Sequence, residues 1–142
     1  MKYPYIKYPA DPIETHPDRK NILRPVIPIG VIYRGNKVRY SVLIDSGADY
    51  CIFHADIGEL IEIDIKNAKR MEFFGVGGVR QEAFFHNIKI DVGGWEFPCY
   101  VGFSYGLKQM PYGIVGQDNF FSLFTVIFDK KKECLILKEN KK

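Results

Sequence analysis

The apolar run Val42-Leu43-Ile44 ends in a carboxylate, a hydroxyl and a glycine, Asp45-Ser46-Gly47. An ionised Asp at the buried end of a strand costs on the order of several kcal/mol unless it is paired, hydrogen-bonded or partly protonated. Such an acid is a candidate for general acid–base chemistry. The same residue types also build tight turns, because Asp and Ser bond the backbone and Gly accepts positive φ. Taken alone, the trio leaves both readings open.

Other residues that could do chemistry are dispersed. Cys51, Cys99 and Cys134 are odd in number and form no Cys-x-x-Cys pair, so neither a disulfide scaffold nor a zinc knuckle is indicated. They read as small buried hydrophobes in a reducing compartment. His16, His54 and His86 are equally scattered, and the sequence calls for no metal and no cofactor. Cys51 and His54 lie close in sequence, but closeness alone does not orient a thiolate towards its base.

A chain of 142 residues suits one domain, and its 46% hydrophobic and 15% aromatic content suits a packed β-rich core. The net charge of +3 comes with lysines at both ends and in Lys130-Lys131-Lys132, not in a stripe interleaved with aromatics. A nucleic-acid partner is therefore not expected. No stretch approaches the roughly 20 apolar residues of a membrane span, and the N-terminus has no signal-peptide core, so the expectation is a soluble, cytoplasmic protein without a membrane partner.

The elements that must position Asp45 are mostly strands. Six of the eight prolines fall by position 28, which sets off residues 1–24 as a proline-rich arm unsuited to a regular helix or a central strand, with a domain over 25–142. Ile27–Tyr33 and Lys37–Ile44 read as strands about Arg34-Gly35-Asn36, and the second delivers Asp45. Tyr50–Phe53 reads as a short strand. Ala55–Ile61 reads as a short helix with Ile57, Leu60 and Ile61 on one face. Met71–Arg80 reads as a hairpin with a glycine-dominated tip, followed by strands Phe85–Val92 and Trp95–Phe103 about Gly93-Gly94. Asp118 is placed to N-cap a short helix carrying Phe120, Phe121, Leu123 and Phe124. Thr125–Asp129 and Glu133–Lys138 then close the domain as a strand pair. Short strands at regular intervals predict a mainly β domain, closed or sandwiched.

Three motifs stand in order: Leu43-Ile44-Asp45-Ser46-Gly47-Ala48-Asp49, Phe74-Gly75-Val76-Gly77-Gly78 and Ile114-Val115-Gly116-Gln117-Asp118. This order resembles the retroviral-type aspartic proteases, the retropepsin family, from about Ile27 to Leu137. The resemblance implies a single-lobe acid-protease fold, a closed β barrel or sandwich with a glycine-rich flap hairpin and one or two short helices. It implies Asp45 as the catalytic carboxylate, Ser46 as a hydroxyl locking its loop to that of a second subunit, and Gly47 as the point where substrate backbone approaches. Ala48 and Asp49 would line the substrate site. Phe74, Gly75, Val76, Gly77 and Gly78 would form the flap over the substrate, and Ile114, Val115 and Gly116 would support the catalytic loop from behind.

The reaction of that family needs two carboxylates, and this chain carries one Asp-Ser-Gly. The second must then come from another copy, which implies a two-fold homodimer acting on peptide or protein substrates. Where many viral members carry Arg after the supporting glycine, this chain has Gln117, whose amide can still hydrogen-bond. The rival reading is a catalytically silent, protease-like domain that binds peptides or only dimerises.

Overall fold

The computed structural model describes residues 1–74 and 78–141. Its strands, in chain order, are β1 (Lys2–Pro4), β2 (Ile6–Pro9), β3 (Asn21–Arg24), β4 (Val26–Tyr33), β5 (Asn36–Ile44) and β6 (Ile52–His54). A short helix α1 (Ala55–Leu60) follows. Then come β7 (Lys69–Phe74), β8 (Arg80–Val92), β9 (Trp95–Ser104), β10 (Gly113–Val115), β11 (Phe124–Asp129) and β12 (Cys134–Glu139).

The main sheet runs β4-β5-β10-β6-β9-β8-β7, and β4 also pairs with β8, so six strands close into a ring with β7 attached outside it. Closure rests on the length of β8. Its 13 residues pair with β7 at one end, with β9 along most of their course, and with β4 at Lys89, Ile90 and Asp91. The mainly β, closed architecture expected from the strand spacing is the one observed. Ring closure leaves the inward side chains one place to go, and Ile27, Val31, Val42, Phe53, Val101, Phe103 and Val115 are almost wholly buried there.

Prolines sit where a strand has one neighbour. Pro28 in β4 faces Ser41 of β5 before the β8 pairing begins, and Pro98 in β9 faces Lys89 of β8 before the β6 pairing begins. A missing N–H on the open side leaves no ladder bond unmade. The proline-rich segment lies along the domain. β1 pairs with β12 in the three-stranded sheet β1-β12-β11, β2 pairs with β3, and the Met1 ammonium donates to the Leu137 carbonyl at 2.9 Å.

Several expected boundaries shift. The turn after β4 is Arg34-Gly35, both at positive φ, and Asn36 belongs to β5, where its amide donates to the Ile61 carbonyl. The strand placed at Tyr50–Phe53 is Ile52–His54, because Ala48 and Asp49 give their carbonyls to the segment after β10 instead. β8 begins at Arg80 and not at Phe85, since Arg80–Phe85 is taken up by pairing with β7. Asp118 is not an N-cap. The residue after it, Asn119, takes φ 74 and ψ −61, so no helical turn follows Asp118 directly. Asn119 instead bonds both backbone groups of Tyr100, and that contact outweighs the capping preference.

Phe53 links the wall of the ring to its interior, edge-on to Tyr40 at 5.1 Å and to Phe103 at 6.0 Å between ring centres. Phe53→Ala is expected to lower unfolding free energy by about 3–5 kcal/mol, measured as a shifted urea midpoint at constant m-value.

Candidate active site

Asp45 sits where β5 leaves the sheet, and the local hydrogen bonds explain why the chain turns there. The Asp45 N–H donates to the Val115 carbonyl at 3.0 Å, the last ladder-like bond of the β5–β10 pair. The chain then folds back: the Ala48 N–H donates to the Asp45 carbonyl at 3.2 Å, and the Gly47 N–H donates to Asp45 Oδ1 at 2.9 Å. One carboxylate oxygen is thereby oriented by backbone, which fixes the side chain against rotation. Asp45 is half-buried while Ser46 and Gly47 are exposed.

β10 is wedged between two strands, parallel to β5 (Gly113 opposite Val42 to Val115 opposite Ile44) and antiparallel to β6 at Ile52. Its continuation runs beside the Asp45 loop. The Gln117 N–H donates to the Ala48 carbonyl at 2.8 Å, and the Asp118 N–H to the Asp49 carbonyl at 2.9 Å. The Gln117 side-chain amide donates to the Ser46 carbonyl at 2.7 Å. The neutral amide thus ties the loop through its backbone.

Gly116 makes this approach possible. A Cβ there would lie 2.5 Å from the Ala48 carbonyl oxygen and 2.6 Å from that of Tyr50, both rigid backbone atoms.

A cleft of about 360 Å³ opens in front of the loop. Asp45, Gly47, Ala48 and Asp49 form one side, Phe73 and Phe74 of β7 another, and Tyr50, Ile52 and Ile114 complete it. The structure therefore brings Asp45, Gly47, Ala48, Asp49, Phe74 and Ile114 to one cavity. Ser46 is not among the lining residues, Val115 is fully buried in the core, and Gly116 acts through the backbone contact above. Gly78 is exposed, at φ 75, and does not line the cleft, while Gly75, Val76 and Gly77 lie outside the described residues.

Tyr50, Ile52 and Phe73 line the cleft although no motif in the sequence marks them. Phe73 carries no local signal, since period-two alternation puts neighbouring residues of a strand on opposite faces and would assign only one of Phe73 and Phe74 to the cavity, whereas both line it. A smaller neighbouring hollow of about 180 Å³ shares Tyr50 with the cleft and is walled by Phe85 and Tyr100, with Lys69 and Arg70 also lining it. Tyr50 meets Phe85 edge-on at 5.9 Å between ring centres, and Tyr100 meets it tilted at 5.1 Å.

The other candidate groups have structural partners. The Cys51 thiol donates to the Asp118 carbonyl at 3.4 Å. Contact with Cys51, reinforced by burial, pushes the Cys99 thiol well above its ordinary range, so it stays protonated. His86 bonds the Ile65 carbonyl and His16 the Thr15 hydroxyl. Among the described residues no three His, Cys, Asp or Glu side chains gather as a metal site. Among them, too, no helix is long and apolar enough to cross a membrane.

No family model and no curated protein matches the chain. Among solved structures it is similar to EIAV protease complexed with the inhibitor HBY-793, at 21% identity and a TM-score of 0.53, over 70% of this chain and 88% of that one. The fold is retropepsin-like.

Gly116→Ala forces the two backbone segments apart. It is expected to destabilise the protein by about 1–3 kcal/mol in urea denaturation and to shift the amide resonances of Asp45 to Asp49 more than those of β11 and β12.

Proposed function

We propose that this protein is an aspartic endopeptidase whose active site forms across a homodimer, with Asp45 as the catalytic carboxylate. The observation that carries the reading is the position of Asp45: half-buried, oriented by the Gly47 N–H, and on one side of a cleft whose other side is formed by Phe73 and Phe74 at the end of β7. The Gly47 bond alone also suits a structural turn, so it is the cleft in front of the carboxylate that favours the catalytic reading. The retropepsin-like fold adds support, as does the order of the three sequence motifs.

The count of acids and the exposure of the loop support the dimer. Ser46 and Gly47 face solvent in the single chain, which leaves the loop open to the same loop of a second copy, an isologous contact. Two Asp45 carboxylates brought together hold one proton between them, because like charges about 3 Å apart cannot both ionise cheaply. The ionised partner accepts a proton from a water held between them, and the resulting oxygen nucleophile bonds to the scissile carbonyl carbon. The protonated partner gives its proton to the carbonyl oxygen, so a neutral gem-diol forms. Collapse of that intermediate breaks the C–N bond. The amine leaves with one proton and the carboxylic acid forms, with the shared proton back on the pair.

Substrate would lie extended between the Asp45 loop and β7, its alternate side chains facing opposite walls. The cleft walls of Phe73, Phe74, Tyr50, Ile52 and Ile114 suit apolar and aromatic side chains.

On a peptide library, Asp45→Asn is expected to reduce kcat/KM by at least about a thousandfold while leaving the thermal midpoint within a few degrees. Equal cleavage by wild type and variant removes Asp45 as the catalyst. Peptide bound by both and cut by neither favours the silent peptide-binding reading. In sedimentation equilibrium the active species should have about twice the 16.4 kDa mass of the chain. A fully active monomer overturns the shared site.

A further inference from the structure

Behind the cleft, Tyr40 and His54 form a bonded pair that the peptidase reading does not use. Tyr40 lies on β5, five positions before Asp45, and His54 ends β6. The Tyr40 hydroxyl accepts from the His54 backbone N–H at 3.0 Å and lies 2.5 Å from His54 Nδ1. The other ring nitrogen, Nε2, lies 2.8 Å from the Met110 carbonyl oxygen. A carbonyl only accepts, so Nε2 carries a proton, and in the neutral imidazole Nδ1 is then the acceptor of the Tyr40 hydroxyl proton. Burial pushes the Tyr40 phenol well above its ordinary range, so it keeps the proton it donates. Tyr40 also seats β10, since a Cβ on Gly113 would lie 2.5 Å from its hydroxyl oxygen.

Met110 stands in the middle of the 105–112 connection between β9 and β10. Its N–H donates to the Leu107 carbonyl at 2.9 Å, and Leu107 is buried with Ile52, Ala83 and Phe85 in a small cluster against which Phe73 packs. Past Met110, Tyr112 packs edge-on to Tyr8 at 5.6 Å, and the chain enters β10 with Ile114 in the cleft wall. His54 therefore grips the connection between the residue that supports one cleft wall and the residue that enters another.

We propose that His54 is a positioning residue for peptide binding: its Nε2–H, oriented by the Tyr40 hydroxyl, holds the 105–112 connection and so sets Phe73 and Ile114 in the cleft. The link to peptides rests on the peptidase reading of the cleft; the clamp itself rests on the bonds above. A rigid wall lowers the ordering cost of binding without touching the reacting atoms.

The test compares His54→Leu with His54→Gln in the full chain, the Gln amide keeping a donor near the place of Nε2. Amide hydrogen exchange reads the clamp independently of catalysis: exchange at Met110 should be about tenfold faster in the Leu variant and close to wild type in the Gln variant. On a peptide that the wild type cleaves, the Leu variant should raise KM about tenfold with kcat within about twofold, and Gln should restore KM. Tyr40→Phe removes the hydroxyl that orients the ring, along with its bond from the His54 backbone N–H, and should move both readouts in the same direction, which keeps the test available where the Leu variant does not fold. Unchanged exchange at Met110 in a folded Leu variant overturns the proposal, as does a Gln variant impaired as much as Leu. A wild type that cuts no peptide while exchange responds as expected supports the clamp and removes the peptidase reading.

Discussion

At Gly116 two backbone segments come closer than a side chain permits, and the site depends on that contact. With only hydrogen on the Gly116 Cα, the segment after β10 lies against the carbonyls of Ala48 and Tyr50. The same approach lets Gln117 and Asp118 bond the loop through main chain, and Gln117 adds a side-chain bond to Ser46. The Asp45 loop is held by neighbouring backbone, not by its own side-chain packing. Backbone support of this kind fixes geometry without bringing further charge near the acid.

The ring of strands supplies the rigid frame on which this contact is mounted. β8 joins three neighbours along its length, and its pairing with β4 turns an open sheet into a closed one. Closure gives each of the six ring strands a neighbour on both sides over part of its length, and the prolines of β4 and β9 fall in the stretches where one side carries no partner. The interior is close-packed by aromatic and β-branched residues. Phe53 and Phe103 stand edge to face in it, so a shift in β6 is transmitted directly into the core.

The cleft is consequently built from pieces far apart in sequence that share the same supports. Ile52 lines the cavity on one side and belongs on the other to the cluster beneath Phe73 and Leu107. Tyr40 touches Phe53, His54 and the seat of Gly113, which places one side chain between the strand that delivers Asp45 and the strand wedged behind its loop. Floor and walls are thus mechanically connected through packed side chains.

Much of this could be read from residue order. Alternating apolar residues marked β4, β5, β8 and β9, Gly93-Gly94 marked their turn, and the run into Asp45 marked an acid at a strand end, because each of these signals is local. The boundaries that failed did so where long-range bonds replaced local preference. β8 starts early because β7 pairs with it, and Asp118 loses its capping role because Asn119 is committed to Tyr100. Phe73 and Tyr50 as cleft residues, the Tyr40–His54–Met110 chain and the ring closure by β4 and β8 join segments tens of residues apart, and no local pattern records such a pairing. The sequence by itself determined a β-rich domain with one acid placed at the end of a strand. Only the tertiary structure decided what that acid faces, because the walls opposite it are set by contacts between distant strands.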